Sequence, residues 1–437
     1  MRVRQAAGWV AVLLTAIGPM GASASAAPAH TTRVDVSSGG VLAGAPVDEA
    51  GIAMARNGNL IAFASAASNL VPGDTNGMRD VFVRNVRSGT TTRVDVGPGG
   101  VQANGDSFGP LAMSEDGRFV AFESDSSNLV PGSGCAPGQP PDCLFIRDRL
   151  HNTTRVVKRI TNPGIVALSE HGRYLVAAGF SQLQRIDLHT NTAVVVSCCG
   201  LGGDLKNLQF DGMSSNANLV AFSLNAGPSD PADPERFQVY VRNIARHTTR
   251  LVSRNDAGVP GNDNSFGGAM SPGGRYVFFT SRATNLVPGD TNGHVDVFVR
   301  DRRRGTTRRI DRGLRGQANG DALALGISAG GRYRLYASQA TNIVPGDANH
   351  AADLFLRDRL AGKTIRIDVP DAGGQANRGI GRFAVNVGIA MSPVRAGSPS
   401  PRRPRTCSHR RPAPRTSTCA ARSTDRHRRP GMGVTDG

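Results

Sequence analysis

The sequence predicts an all-β chain of four-stranded antiparallel blades, six complete and a seventh truncated, and three observations carry that prediction. A segment occurs three times, as Asn69 to Asp95 (NLVPGDTNGMRDVFVRNVRSGTTTRVD), Asn285 to Asp311 and Asn342 to Asp368. Each copy reads as loop, strand, turn, strand, and return at nearly constant spacing is the mark of a repeat architecture. A Gly-Arg turn anchor recurs at Gly117-Arg118, Gly172-Arg173, Gly274-Arg275 and Gly331-Arg332, with degenerate forms at Gly58-Asn59 and Ala217-Asn218. The segments after these turns, such as RFVAFES from Arg118 to Ser124, alternate in polarity and are rich in β-branched and aromatic residues, as strands require. Four short strands with turns between them make one blade of a β-propeller.

In chain order, residues 1–26 read as a secretory leader. Arg2 and Arg4 form a basic start and Val10 to Met20 an apolar core too short to span a bilayer. Ala24-Ser25-Ala26 offers a small-residue cleavage site, so the mature chain is expected to begin at Ala27. Thr31 to Val36 (TTRVDV) matches the end of a repeat at Thr91 to Val96 and reads as a last strand that closes the ring. Blades follow near 37–96, 97–159, 160–200, 201–254, 255–312 and 313–369. In the second, Phe108 to Met113, Arg118 to Ser124, Cys143 to Asp148 and Thr153 to Val157 are the strands, with Asp116-Gly117 in a turn that needs positive φ. The third lacks the long loop, and the fourth replaces it with Pro228 to Arg236.

A seventh repeat starts at 370–392 with a first strand at Val385 to Ser392, and then the pattern stops. Residues 393–437 are rich in Pro, Arg, Ser and Thr, the composition of a disordered basic tail. Val394 to Ala420 can also be re-read, in a frame displaced by two bases, as PGRFAFASAATDLFPPAPGTEDVYVR. That string restores the turn, second strand, loop and third strand of a blade, so the tail is expected to be the product of a frameshift near Ser392.

The formal charge of +17 is unevenly placed: the tail holds eleven Arg and two Asp, which leaves +6 on residues 28–392. A nucleic-acid or membrane-surface binder carries its charge in the folded part, so neither partner is expected. No segment behind the leader is long and apolar enough to span a membrane. Six Cys remain. Cys135 and Cys143 lie in one loop without metal-site spacing and are expected to form a local disulfide, which export permits. The adjacent Cys198 and Cys199 are either free and buried or bridged to each other, and Cys407 and Cys419 belong to the tail.

The units S-x-D-G-R-[FY]-V-A-F-x-S (Ser114 to Ser124, Ser271 to Ser281) and D-V-F-V-R-D (Asp296 to Asp301) resemble the WD-like propeller repeats of exported TolB-like proteins. The resemblance covers roughly 31–392 and implies a propeller outside the cytoplasm. TolB itself carries a further N-terminal α/β domain that contacts envelope partners, whereas these repeats begin directly behind the leader. Related propellers also serve as the non-catalytic domain of prolyl-oligopeptidase-like peptidases, and no hydrolase domain is found in these residues.

Few residues point to chemistry. Gly105-Asp106-Ser107-Phe108-Gly109 matches G-x-S-x-G, but a nucleophile elbow needs a preceding parallel strand and a following helix. The loops after the second strands place oxygens at Asp74, Asn76 and Asp80, at Asp290, Asn292 and Asp296, and at Asp347, Asn349 and Asp353. Hard oxygen ligands around a Gly turn suit Ca²⁺, and the same residues suit an Asx turn that caps its own backbone. Arg84, Arg147, Arg242, Arg300 and Arg357 recur at the end of the third strand and are expected to pair with a neighbouring acid. The resulting expectation is a secreted, monomeric, non-enzymatic scaffold that needs no cofactor and binds a protein, peptide or glycan of the envelope or exterior. The competing readings are a propeller-type polysaccharide lyase or hydrolase and a non-functional frameshifted product.

Overall fold

The computed structural model describes residues 11–14, 30–135, 143–157, 164–178, 182–197, 208–225 and 236–369. Among them are six four-stranded antiparallel sheets, each with its strands paired in chain order, arranged as the blades of a β-propeller. No α-helix occurs among the described residues, and the one helical turn is the 3₁₀ segment Pro98–Gly100.

Blade 5 shows the pattern: Ser265–Met270, Tyr276–Ser281, Asp296–Asp301 and Thr306–Arg309. Its two central strands are buried along their whole length. They meet in a register that sets Phe279 opposite Phe298, with ring centroids 5.8 Å apart. The same pair recurs as Phe63–Phe82, Phe122–Phe145, Phe222–Tyr240 and Tyr336–Phe355. Aromatic cross-strand pairs are the unit of sheet stabilisation, which explains the repeated aromatic in F-V-R and V-A-F.

The turn anchor is explained by contacts between blades. Gly172 and Gly331 both have positive φ, near 66°. A Cβ on Gly172 would lie 2.2 Å from the ring of Phe119, and one on Gly331 would lie 2.4 Å from that of Tyr276. Each glycine therefore turns the chain and receives the aromatic of the preceding blade. The arginine beside it is bound at the start of the next turn: Arg118 to Asp148 at 2.6 Å, Arg173 to Asp187 at 2.9 Å, Arg275 to Asp301 and Arg332 to Asp358 at 2.7 Å. Both degenerate anchors lose the pair as a unit. Blade 1 has Asn59 and Asn85, and blade 4 has Asn218 and Asn243, at the two positions.

Five apolar clusters join blade to blade along the series, each drawing residues from two neighbours, as Phe122 with Val81 and Phe278 with Tyr336 do. One face of blade 1 (Phe63, Leu70, Phe82) and one of blade 6 (Tyr333, Leu335, Leu356) form separate clusters. The expected seventh repeat at 370–392, the tail at 393–437, and Cys198 and Cys199 lie outside the described residues. His30–Arg33, at the start of the expected closing strand, pairs with Ala11–Leu14 from the apolar leader segment.

Candidate functional site

Among the described residues, the first-to-second and third-to-fourth turns of the blades are short and share one end. The second-to-third loops of blades 1, 5 and 6 and the connections into blades 1, 2, 5 and 6 share the other. Most of the residues singled out in the sequence cluster at this second end, where the start of a third strand meets the end of the fourth.

In blade 5 that joint consists of Asp290, Asp296 and Asp311 around Arg309. The guanidinium lies 2.9 Å from Asp290 and 3.3 Å from Asp296, and it also donates to Gln317 Oε1 at 2.6 Å. Asp311 accepts from the Val297 amide at 3.2 Å. Blade 1 repeats this with Asp74, Asp80, Asp95 and Arg93, at 3.0 and 3.7 Å. Blade 6 repeats it with Asp347, Asp353, Asp368 and Arg366, at 3.4 Å to each of the first two. Three acids on one cation leave too much buried negative charge, and the pKa values respond. Burial first, and then the neighbouring Asp296, push Asp290 up to about 6 and Asp311 well above the ordinary range. Burial and Asp353 push Asp368 up to about 7.

The asparagines show which reading of the acidic loops the geometry fits. Asn76, Asn292 and Asn349 each donate Nδ2 to the carboxylate of Asp80, Asp296 and Asp353, at 2.9 Å in every case. Their Oδ1 atoms accept from the amides of Met78, His294 and Ala351 two residues on. This is an Asx turn with an arginine as counter-ion. A Ca²⁺ cage needs oxygens where these donors sit, and a cation would have to displace the guanidinium. Among the described residues no group of three or more His, Cys, Asp or Glu side chains could hold a metal ion.

The remaining blades solve the joint differently. In blade 4 the acids are replaced by Gln238 and Ser253; Ser253 Oγ donates to Gln238 Oε1 and accepts from the Val239 amide at 3.0 Å. In blade 3 the Leu183 amide donates to Ser197 Oγ at 3.0 Å. In blade 2, Cys143 stands where Asp80 stands in blade 1, and it is bonded to Cys135. Val156 takes the place of Arg93, and in the sequence Lys158 falls at the position of Asp95.

The recurrent arginines of the third strands are structural, but not through the acids expected as their partners. Arg84 donates to Ser37 O at 2.9 Å and Thr91 Oγ1 at 3.0 Å. Arg300 donates to Asn255 O at 3.0 Å and Thr307 Oγ1 at 2.9 Å, with its nearest acid, Asp256, at 3.9 Å. Arg147, Arg242 and Arg357 bind Thr154, Thr249 and Thr364 in the same way. The guanidinium thus ties the outer strand, and in blades 1 and 5 the incoming connection, to the third strand. The neighbouring acids are already bound elsewhere, Asp301 by Arg275 and Asp311 by the Val297 amide.

Ser107 of the G-x-S-x-G match is buried, with its hydroxyl 3.1 Å from Ser124 Oγ. Ser265 and Ser281 repeat the contact at 2.8 Å in blade 5. A different residue has the character of a functional acid and was not singled out in the sequence. Asp211, at the bulge in the first strand of blade 4, is fully buried, and burial pushes it up to about 7. Its partner is Ser223 Oγ, which also accepts from the Gly267 amide of blade 5 at 3.2 Å. At the short-turn end, Arg56 of blade 1 meets Glu115 of blade 2 at 2.8 Å and Glu170 of blade 3 at 3.6 Å, and Ser215 of blade 4 reaches Glu115 at 2.6 Å.

No family model matches this chain, and no curated protein matches it. Solved structures similar to it include an oligogalacturonate lyase in complex with manganese, with 14% identity and a TM-score of 0.44 over 72% of this chain and 75% of that one. A protein described as TolB from Agrobacterium tumefaciens has 12% identity and a TM-score of 0.32 over 72% and 79%. The β-propeller domain of the Trilobed protease from Pyrococcus furiosus has 11% identity and a TM-score of 0.36 over 74% and 97%. No helix among the described residues is long and apolar enough to cross a membrane.

Proposed function

We propose that this protein is a secreted, non-enzymatic scaffold that binds a protein, peptide or glycan of the cell envelope or exterior through the long-loop end of its blades. The observation that carries this reading is the set of aliphatic residues at the tips of the connecting hairpins. Val41, Val101 and Val259 hold the same position, each accepting at its carbonyl from Ser37, Gly97 or Asn255. They are 59%, 55% and 50% exposed, and Leu314 at the fourth tip is 60% exposed. Single exposed aliphatics are ordinary. Four at matching turns on one end form a pattern, on loops held by a rigid framework, where binding residues concentrate. The repeated charged motifs are engaged in blade joints, which favours a scaffold over a lyase or hydrolase. The Cys135–Cys143 bond suits an oxidising compartment.

The test replaces Val41, Val101, Val259 and Leu314 together by Ser and compares crosslinking to envelope extract. The scaffold reading expects capture to disappear with the melting temperature unchanged. Undiminished capture, or turnover of a polysaccharide by the wild-type chain, would overturn it.

A further inference from the structure

We infer that the cleft between blades 2 and 3, at the short-turn end, binds the free C-terminal carboxylate of a peptide whose last residue is apolar. The cleft lies at the opposite end of the blades from the aliphatic tips, so this inference does not depend on the proposal above.

The starting point is Arg155. It lies on the fourth strand of blade 2 opposite Ile146, one place before Val156, which holds the position of Arg93 and Arg309 in the other blades. It donates Nη1 to Leu188 O of blade 3 at 2.7 Å. A guanidinium carries five N–H donors in a planar fork. Among the described residues no carboxylate accepts from this one, and burial of the group draws its pKa down from the ordinary value. It borders a cavity of about 630 Å³ whose lining includes Phe119, Gly172 and Leu188 as apolar wall, with Arg173, His171 and His189 at its edge.

The nearby acids are already matched. Asp148 takes Arg118 through two bonds of 2.9 and 2.6 Å. Asp187 takes Nε and Nη2 of Arg173. Asp116 accepts from Ser114, from the Arg118 amide and from His171. Arg155 is thus a cation without an acid, set in a mostly apolar cleft. A ligand that satisfies it supplies one negative charge, with oxygens spaced for the guanidinium fork, and an apolar body to cover Phe119 and Leu188. A phosphate dianion would bring more charge than the site balances. A sugar acid would lay hydroxyls against walls with little to bond them. The volume falls in the range of small-ligand sites, enough for the end of a peptide but not for a folded surface.

The test uses the full chain and two probes, N-acetyl-leucyl-phenylalanine with a free carboxylate and its carboxamide, titrated by calorimetry. The acid should bind at least about tenfold more tightly than the amide, the scale of one charge-assisted fork. Arg155→Gln should abolish that difference, and Arg155→Lys should recover part of it. His189→Asp, which supplies an internal carboxylate at an exposed position, should weaken the acid selectively. Melting curves of each variant separate lost binding from lost fold. Equal binding of acid and amide, undiminished binding of the acid by Arg155→Gln, or no heat from the acid at millimolar concentration would each overturn the inference.

Discussion

Blade 5 holds the start of its third strand with three buried carboxylates and Arg309, whereas blade 2 holds the same place with the Cys135–Cys143 bond and keeps neither Asp296 nor Asp311 in equivalent form. Blade 4 does it with neutral Gln238 and Ser253. The joint therefore needs a link between loop, third strand and fourth strand, and no one chemistry for it. The acids nevertheless change together. A single acid left without its arginine would be an uncompensated buried charge, which costs far more than a missing pair. The arginine goes with them: Val156 of blade 2 and Leu251 of blade 4 stand where Arg309 stands in blade 5.

The largest expected effect comes from breaking the charged joint. Arg309→Met should destabilise the protein by about 3–5 kcal/mol at neutral pH, read by urea unfolding. A change within error would mean that the three acids need no counter-ion.

Removing the staple in blade 2 by Cys135→Ser with Cys143→Ser should cost about 2–3 kcal/mol, the loop-closure entropy expected for a short loop. Reduction of the wild-type protein should match it. If the double variant is as stable as wild type, the bond does not do the work of the acids.

The two kinds of acid also differ in pH response. Asp290, Asp368 and Asp211 have raised pKa values, of about 6, 7 and 7. Their folded forms hold protons that the unfolded chain releases from about pH 4 upward. The stability they contribute is full below that point and is lost as pH rises through 6 to 7. Asp148, Asp187, Asp301 and Asp358 are net lowered by hydrogen bonds from Arg partners and backbone amides, although burial opposes the shift. Their contribution is present above the unfolded pKa and lost in acid. The melting temperature should thus peak between the two windows and decline toward neutral pH. Asp211→Asn should flatten the neutral-side slope, and an unchanged slope would remove Asp211 from this account.

Smaller effects separate the turn anchors. Arg275→Asn and Asp301→Asn should show a small but measurable coupling in a double-mutant cycle, as expected of a partly exposed pair. Grafting Asn218→Arg with Asn243→Asp into blade 4 should raise the melting temperature slightly only when both are present. Last, a chelator should leave the melting temperature unmoved if arginine is the only cation at the acidic loops. A fall on chelation would restore Ca²⁺ to them.

Much of the blade plan is legible in the residues. The Gly-Arg anchors, the alternating second strands and D-V-F-V-R place six sheets close to where they occur, because these signals are local. Turns need positive φ, strands need period two, and cross-strand aromatics need a set register. Cys135 and Cys143 could be paired from the chain because they share one loop. The partners of Arg84 and Arg300 could not, since the carbonyls of Ser37 and Asn255 come from the preceding connection and carry no side-chain signal. Asp211 gave no sign either, as its pKa depends on being sealed between blades 4 and 5. The coupled loss of Arg and Asp to Asn in blades 1 and 4 was readable in principle, by aligning the repeats on both positions at once.

By itself, then, the chain determines that four-stranded antiparallel blades form and where the tight turns recur, since period and turn chemistry act over a few residues. Only the tertiary structure decides what the charged residues do. Arg300 reaches the Asn255 carbonyl of the incoming connection, whereas Arg242 reaches the His247 carbonyl of its own turn, although the two hold the same place in the repeat. The difference lies in which groups from other strands and from the next blade surround each one, and burial makes those surroundings decisive.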